Sequence, residues 1–194
     1  MQYKDMTDIL HPGRLGCYEL SYFDISSNNI RAMIEGITPG RYIKLTCNGN
    51  ILMSDTPMER RTNSKFVSRS FGDVLIGGLG IGMILVAIQD KPEVKSITVL
   101  EKSSDLIKLV FPQLCLNEKV TVINADVFDW KPPKGKKYDC VYMDIWGYIN
   151  SDVYKEMVKL KRKYSHYLKP KDESLCRFNM CWAEYEAKNN RRLL

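Results

Sequence analysis

The chain has 194 residues, 44% apolar and 27% charged, with a formal net charge of +6 at pH 7. That length fits one domain with a small appendage, and the apolar share builds a buried core, which excludes a disordered chain. The mild positive charge is compatible with an anionic partner such as nucleic acid without requiring one. The uncharged stretch from Val74 to Ile88 is too short, and too broken by glycine, to cross a membrane. The opening Met-Gln-Tyr-Lys-Asp-Met-Thr-Asp lacks an apolar run, so no secretory signal is expected and the expected location is the cytoplasm. Six cysteines (Cys17, Cys47, Cys115, Cys140, Cys176, Cys181) form no C-x-x-C pair, and His11 and His166 lie far apart. Scattered reduced thiols and no metal site are expected.

Residues 1 to 25 carry turn signals at Pro12-Gly13 and Gly16 but no motif. Ser26 or Ser27 caps a short expected helix with Ile30, Met33 and Ile34 on one face, closed by Gly36. Tyr42 to Cys47, Asn48-Gly49 and Asn50 to Met53 then read as a β-hairpin, since Asn-Gly tolerates both positive φ angles of a type I′ turn. Its exit, Ser54 to Asn63, is polar and expected to be a solvated loop.

The most informative stretch follows. Val74-Leu75-Ile76 is a short apolar strand, Gly78, Gly80 and Gly82 alternate after it, and Met83 to Ile88 opens a buried helix. A strand that enters a glycine turn and leaves as a helix is the opening of a nucleotide-binding βα unit. Glycine permits positive φ and lets the backbone approach a ligand more closely than a Cβ allows. The turn is expected at the surface. A dinucleotide fingerprint fits poorly, because Met83 stands where its third glycine belongs.

Ser96 to Leu100 is a second strand ending in Glu101, twenty-one residues beyond Gly80. An acid at that distance can take both hydroxyls of a ribose. Ser103-Ser104-Asp105 caps a helix bearing Leu106, Ile107, Val110 and Phe111. Lys119 to Ile123 is a third strand and leads into Asn124-Ala125-Asp126-Val127. The basic loop Lys131 to Lys137 precedes a fourth strand, Tyr138 to Asp144, whose carboxyl end points Asp144 at the ligand side of an open α/β sheet. Trp146 stands beside it as a candidate pocket wall. A helix with a basic face starts at Ser151, Ser174 to Phe178 is the expected fifth strand, and the tail from Trp182 to Leu194 is helical by composition.

The spacing Gly78-x-Gly80-x-Gly82, with Glu101, Asp126 and Asp144 in order, resembles class I S-adenosylmethionine-dependent methyltransferases and their spermidine synthase-like branch. The resemblance spans about residues 40 to 180. It implies an α/β, Rossmann-like class I methyltransferase core of strand order 3-2-1-4-5 over residues 66–194. No length remains for the sixth and seventh strands. Residues 1–65 form an N-terminal helix and β-hairpin extension, such as precedes the core in spermidine synthases. The implied cofactor is S-adenosylmethionine, held by the three glycines, by Glu101 on the ribose, by Asp126 on the adenine amino group and by the Val127 backbone beside the ring. Asp55 and Glu59, at the hairpin exit, match the segment that covers the substrate in spermidine synthases, and Trp146 joins them as substrate-binding. Asp144 is the expected catalytic residue.

Two departures bear on which group is transferred. Spermidine synthases carry an acid between the second and third motif glycines and a second acid past the fourth strand; this chain has Ile81 and Gly147 there. Methyl transfer to an unidentified acceptor is therefore preferred. Polyamine biosynthesis by aminopropyl transfer from decarboxylated S-adenosylmethionine is the alternative, and a non-catalytic nucleotide-binding scaffold is the third reading. The expected partner is a small-molecule acceptor, with nucleic acid weakly supported, no membrane, and a homo-oligomer left open.

Overall fold

The computed structural model describes residues 3–34 and 36–191. A single 3-10 turn at Met6–Asp8 precedes strands β1 (Gly13–Leu15) and β2 (Tyr18–Ile25), helix α1 (Ile30–Ile34), and strands β3 (Gly40–Cys47) and β4 (Asn50–Ser54). The four strands make one antiparallel sheet in chain order. The expected hairpin is β3–β4, with Asn48 and Gly49 at φ 49° and 80°, as a type I′ turn needs. Residues 13–25, in a stretch that carries no motif, supply the other half of this sheet. Gly16 at φ 57° opens the two-residue turn between β1 and β2, and Tyr18, Leu20 and Tyr22 alternate along β2 with Leu20 fully buried. Asn29, rather than Ser26 or Ser27, caps α1, its Oδ1 accepting from the Ala32 N–H at 3.0 Å.

The polar exit from the hairpin is not a loop. It is the start of α2 (Pro57–Arg69), with Thr56 extended at the N-cap and Pro57 in the first turn. Proline there gives up only an N–H that the helix could not use. Phe66 and Val67 anchor the far end of α2 in the core.

The rest alternates strand and helix except between β7 and β8: β5 (Gly72–Gly77), α3 (Met83–Ile88), β6 (Val94–Glu101), α4 (Ser104–Val110), β7 (Val120–Asn124), β8 (Cys140–Met143), α5 (Ser151–Ser165), β9 (Phe178–Cys181) and α6 (Glu184–Asn189). The five strands are parallel in the order β7-β6-β5-β8-β9, which is the 3-2-1-4-5 order of a Rossmann-like α/β sheet. The fifth strand lies further on than expected. Ser174 N–H bonds the Pro170 carbonyl and Arg177 N–H bonds the Ser174 carbonyl, so turns absorb the backbone groups that pairing would have used. Of the tail expected to be helical, residues 192–194 lie outside the described residues.

Each strand of the parallel sheet sends alternate side chains to opposite faces. Leu75, Val141 and Met143 pack with Val153, Met157, Leu160 and Tyr164 of α5. Val74, Ile76 and Tyr142 face the other way, into a cluster shared by α3, α4 and the N-terminal residues Met6, Leu20, Ile43 and Leu45. Helix α2 is fastened to β8 within that cluster. Phe66 stacks on Tyr142 with ring centroids 4.1 Å apart, and the Tyr142 hydroxyl donates to Asn63 Oδ1 at 2.8 Å. Asn63 Nδ2 donates in turn to the Glu59 carbonyl at 3.0 Å. This fixes the first turn of α2 above the carboxyl edge of the parallel sheet.

Candidate functional site

The carboxyl ends of the parallel strands are tied edge to edge by their backbones. Gly78 N–H donates to Leu100 O at 2.8 Å, Ala125 N–H to Glu101 O at 2.9 Å, Asp144 N–H to Gly77 O at 2.8 Å and Trp182 N–H to Met143 O at 2.9 Å. Above this edge opens a cavity of about 340 Å³, within the range of small-molecule sites. Glu59, Gly78, Gly80, Glu101, Asp126, Val127, Asp144 and Trp146 all line it. Residues spread over almost ninety positions of sequence thus meet in one place.

The glycine turn lies in the left-handed region that favours glycine: Gly78, Gly80 and Gly82 sit at φ 97°, 52° and 74°. It is not a surface turn, since Leu79, Ile81 and Gly82 are buried. Gly82 is not part of the cavity lining; a Cβ there would come 2.3 Å from Leu114 Cδ1, so its role is close packing at the start of α3. Over Gly80 lies the Met53 thioether from β4, which accepts from the Ile81 N–H at 3.3 Å. A flexible methionine can turn aside for an arriving ligand.

Glu101 does structural work as well. Its Oε2 accepts from Leu79 N–H at 3.1 Å and its Oε1 from Ser103 N–H at 2.8 Å, so it ties the glycine turn to the start of α4. Each oxygen has a lone pair left for a hydroxyl. Asp126 Oδ1 accepts from Phe128 N–H at 2.8 Å, and the Val127 carbonyl takes the Tyr164 hydroxyl at 2.7 Å and Lys163 Nζ at 2.8 Å. Trp146 is held by its Nε1, which donates to Glu156 Oε2 at 2.8 Å.

Asp55 and Glu59 part company. Asp55 turns away from the cavity, buried with its Oδ1 accepting from Ile43 N–H at 2.8 Å and with Arg60 3.7 Å away. Its carboxylate is committed to β3 and does not reach a ligand in the cavity. Glu59, one turn into α2, does reach the cavity and acts on Asp144. Burial raises Glu59 to about 7 against one opposing hydrogen bond at Ser54. Burial, then the Glu59 charge, raises Asp144 to about 8. Part of each side chain remains accessible through the cavity. Neither has a lysine or arginine ion-pair partner among the described residues. The acid of the Tyr138-Asp139 phrase, by contrast, is neutralised at the opposite end of the sheet, where Lys169 Nζ lies 2.6 Å from Asp139 and 2.8 Å from Asp73.

Raised carboxyl pKa values fix the sign of a pH effect. The folded state holds protons on Glu59 and Asp144 that the unfolded chain releases near pH 4, so their contribution to stability is full below about pH 4 and is lost as pH rises through about 7 to 8. The urea midpoint is expected to fall between pH 5 and pH 8.5, and to fall distinctly less in a Glu59→Gln, Asp144→Asn double variant. Parallel pH profiles for the two proteins would show that the pair is not protonated in the fold.

The cavity also takes residues that sequence patterns do not single out. Trp182 follows β9 as Asp144 follows β8, so the strand-end rule would have found it once β9 was placed. Tyr18 and Cys47 come from the antiparallel sheet and have no motif. Among the described residues no group of three or more His, Cys, Asp or Glu side chains can hold a metal ion, and no helix is long and apolar enough to cross a membrane.

No protein-family model matches the sequence, and no curated protein matches it either. Solved structures with a similar arrangement include the plantazolicin methyltransferase BpumL bound to a desmethylPZN analogue and SAH, at 20% identity over 59% of this chain and 45% of that one, TM-score 0.46. The N-methyltransferase NodS from Bradyrhizobium japonicum WM9 shares 14% identity over 60% of this chain and 65% of its own, TM-score 0.46. The CcbJ methyltransferase from Streptomyces caelestis shares 17% over 59% and 46%, TM-score 0.46. The chain spans less than two thirds of the length of each of these proteins.

Proposed function

We propose that the protein is an S-adenosylmethionine-dependent methyltransferase acting on an acceptor whose reacting atom carries a proton. The observation that carries this reading is the convergence, around one cavity, of the left-handed Gly78 and Gly80 with Glu101, Asp126 and Asp144 at three different strand ends. The residues fit the cofactor. Gly78 and Gly80 admit close backbone approach, the Glu101 oxygens keep lone pairs for two ribose hydroxyls, and Asp126 faces the cavity as an acceptor for the adenine amino group. Bound S-adenosylmethionine supplies an electrophilic methyl group. The chain's own part is to orient the acceptor against Trp146 and to receive its proton on Asp144, whose pKa near 8 suits a base at neutral to mildly alkaline pH.

Glu59 adds weight to a basic acceptor. As pH rises through about 7 to 8 the two carboxyls ionise, and without a cationic partner they attract a protonated amine and can take the proton it must lose before it attacks. The same observation favours a second reading, aminopropyl transfer from decarboxylated S-adenosylmethionine, because Glu59 brings to the cavity an acid that Gly147 does not. Calorimetry with S-adenosylmethionine, its decarboxylated form and NAD separates the readings. S-adenosylmethionine is expected to bind at least as tightly as the decarboxylated form, and NAD not at all. Clear preference for the decarboxylated form would favour aminopropyl transfer, and no binding of either would sink both readings.

A further inference from the structure

Cys47 in the wall of the cavity pairs with Cys17 beside it, and methyl transfer uses neither thiol. Cys17 lies in the two-residue turn between β1 and β2, and Cys47 ends β3 directly opposite Tyr18 in the β2–β3 register. The Gly16-Cys17 and Asn48-Gly49 turns lie side by side, joined by the Asn48 N–H donating to the Cys17 carbonyl at 2.9 Å. The two sulfurs are 2.6 Å apart and share a hydrogen bond. Both cysteines are partly exposed. Cys115 and Cys176 are exposed, and Cys140 and Cys181 buried; among the described residues no other two thiols make such a contact.

We propose that Cys17 and Cys47 form a redox-modification site, closing to a reversible disulfide by exchange with a low-molecular-weight disulfide of the glutathione type. The hydrogen bond shared with Cys17, and burial after it, hold the Cys47 thiol above its ordinary pKa, so Cys47 is the thiol that enters second. The Cys17 thiolate displaces one thiolate from the small disulfide and forms a mixed disulfide. Cys47 then loses its proton, attacks the Cys17 sulfur and expels the second thiolate. Two protein thiols are oxidised, one small disulfide is reduced to two thiols, and the protons end on those thiols. The crosslink joins neighbouring strands across a loop that contains β2, α1 and β3. It therefore restricts the unfolded chain and staples the wall that Tyr18 and Cys47 give to the cavity.

The test uses the full chain with Cys115→Ser and Cys176→Ser, which removes the exposed thiols elsewhere. The protein is equilibrated in oxidised glutathione, quenched with N-ethylmaleimide, and read by intact mass and peptide mapping. The expected product lacks two hydrogens, yields a Cys17–Cys47 crosslinked peptide, and returns to the dithiol in dithiothreitol. Its thermal midpoint is expected to rise by about 5 °C on oxidation. In a Cys47→Ser version of the same protein, a glutathione adduct on Cys17 is expected to persist, since the thiol that would expel it is gone. Alkylation of both thiols after oxidation, or lasting adducts in place of the crosslink while Cys47 is present, would overturn the proposal. The readout involves no cofactor, so it stands or falls separately from the methyltransferase reading.

Discussion

Gly78→Val is expected to remove ligand binding and to lower the thermal midpoint by about 10 °C, an effect of about 4 kcal/mol in a domain of this size. Gly78 stands at φ 97°, where a β-branched residue is a severe outlier, and strain of that kind costs about 1–3 kcal/mol by itself. The larger part is steric. A Cβ on Gly78 would lie 2.1 Å from the carbonyl oxygen of Asp144. That oxygen belongs to backbone tied down by the Asp144 N–H bond to Gly77, so it cannot rotate away as a side chain would. Gly80 provides the contrast. It stands at φ 52°, and a Cβ there meets Met53 Sδ at 2.3 Å, the far end of a flexible chain. Gly80→Ala should melt within a few degrees of the wild type. Equal midpoints for Gly78→Val and the wild type would show that the turn relaxes and that its glycines are dispensable to the fold.

Glu101→Ala is expected to weaken S-adenosylmethionine binding by about 2–3 kcal/mol, roughly 30- to 150-fold, the scale of charge-assisted hydrogen bonds. It should also destabilise the unliganded protein by about 1–3 kcal/mol, because the Leu79 and Ser103 N–H groups lose their acceptor. The two effects can be separated. If Glu101 takes the ribose hydroxyls, the wild type should prefer S-adenosylhomocysteine over its 2′-deoxy analogue, and Glu101→Ala should bind both alike. An undiminished preference for the hydroxyl in Glu101→Ala would mean that Glu101 only braces the turn, and the cofactor assignment would lose its strongest residue.

The legible part of the fold was whatever depended on local pattern. The runs Val74 to Ile76, Ser96 to Leu100, Lys119 to Ile123 and Tyr138 to Asp144 marked four of the parallel strands, the family resemblance implied their order in the sheet, and the glycine alternation marked the turn they surround. Asn48-Gly49 announced its hairpin for the same reason, that few residues accept two successive positive φ angles. What depended on tertiary pairing was harder. Helix α2 hid in a polar stretch, because only two of its buried residues are apolar and the third is Asn63, buried for its bond to Tyr142. Strand β2 hid because its alternate positions are half-buried, with Leu20 alone fully inside. In the site, Glu101 and Asp144 were legible from strand ends. Asp55 and Glu59 have the same chemistry four residues apart, and only the folded chain shows that one bonds β3 while the other faces Asp144.

The core that the two sheets share makes binding and folding linked functions. One N–H of the turn finds its acceptor in the antiparallel sheet, and Met6, Leu20, Ile43 and Leu45 share their core with Leu79, Ile81 and α3. No ligand can then steady the parallel sheet alone. By mass action a ligand at a hundred times its dissociation constant adds about 2.7 kcal/mol to the opening of every part that must be intact for binding. That reserve extends to β2 and β3, whose amides should exchange more slowly when the cavity is filled, although the glycine turn lies in the other sheet.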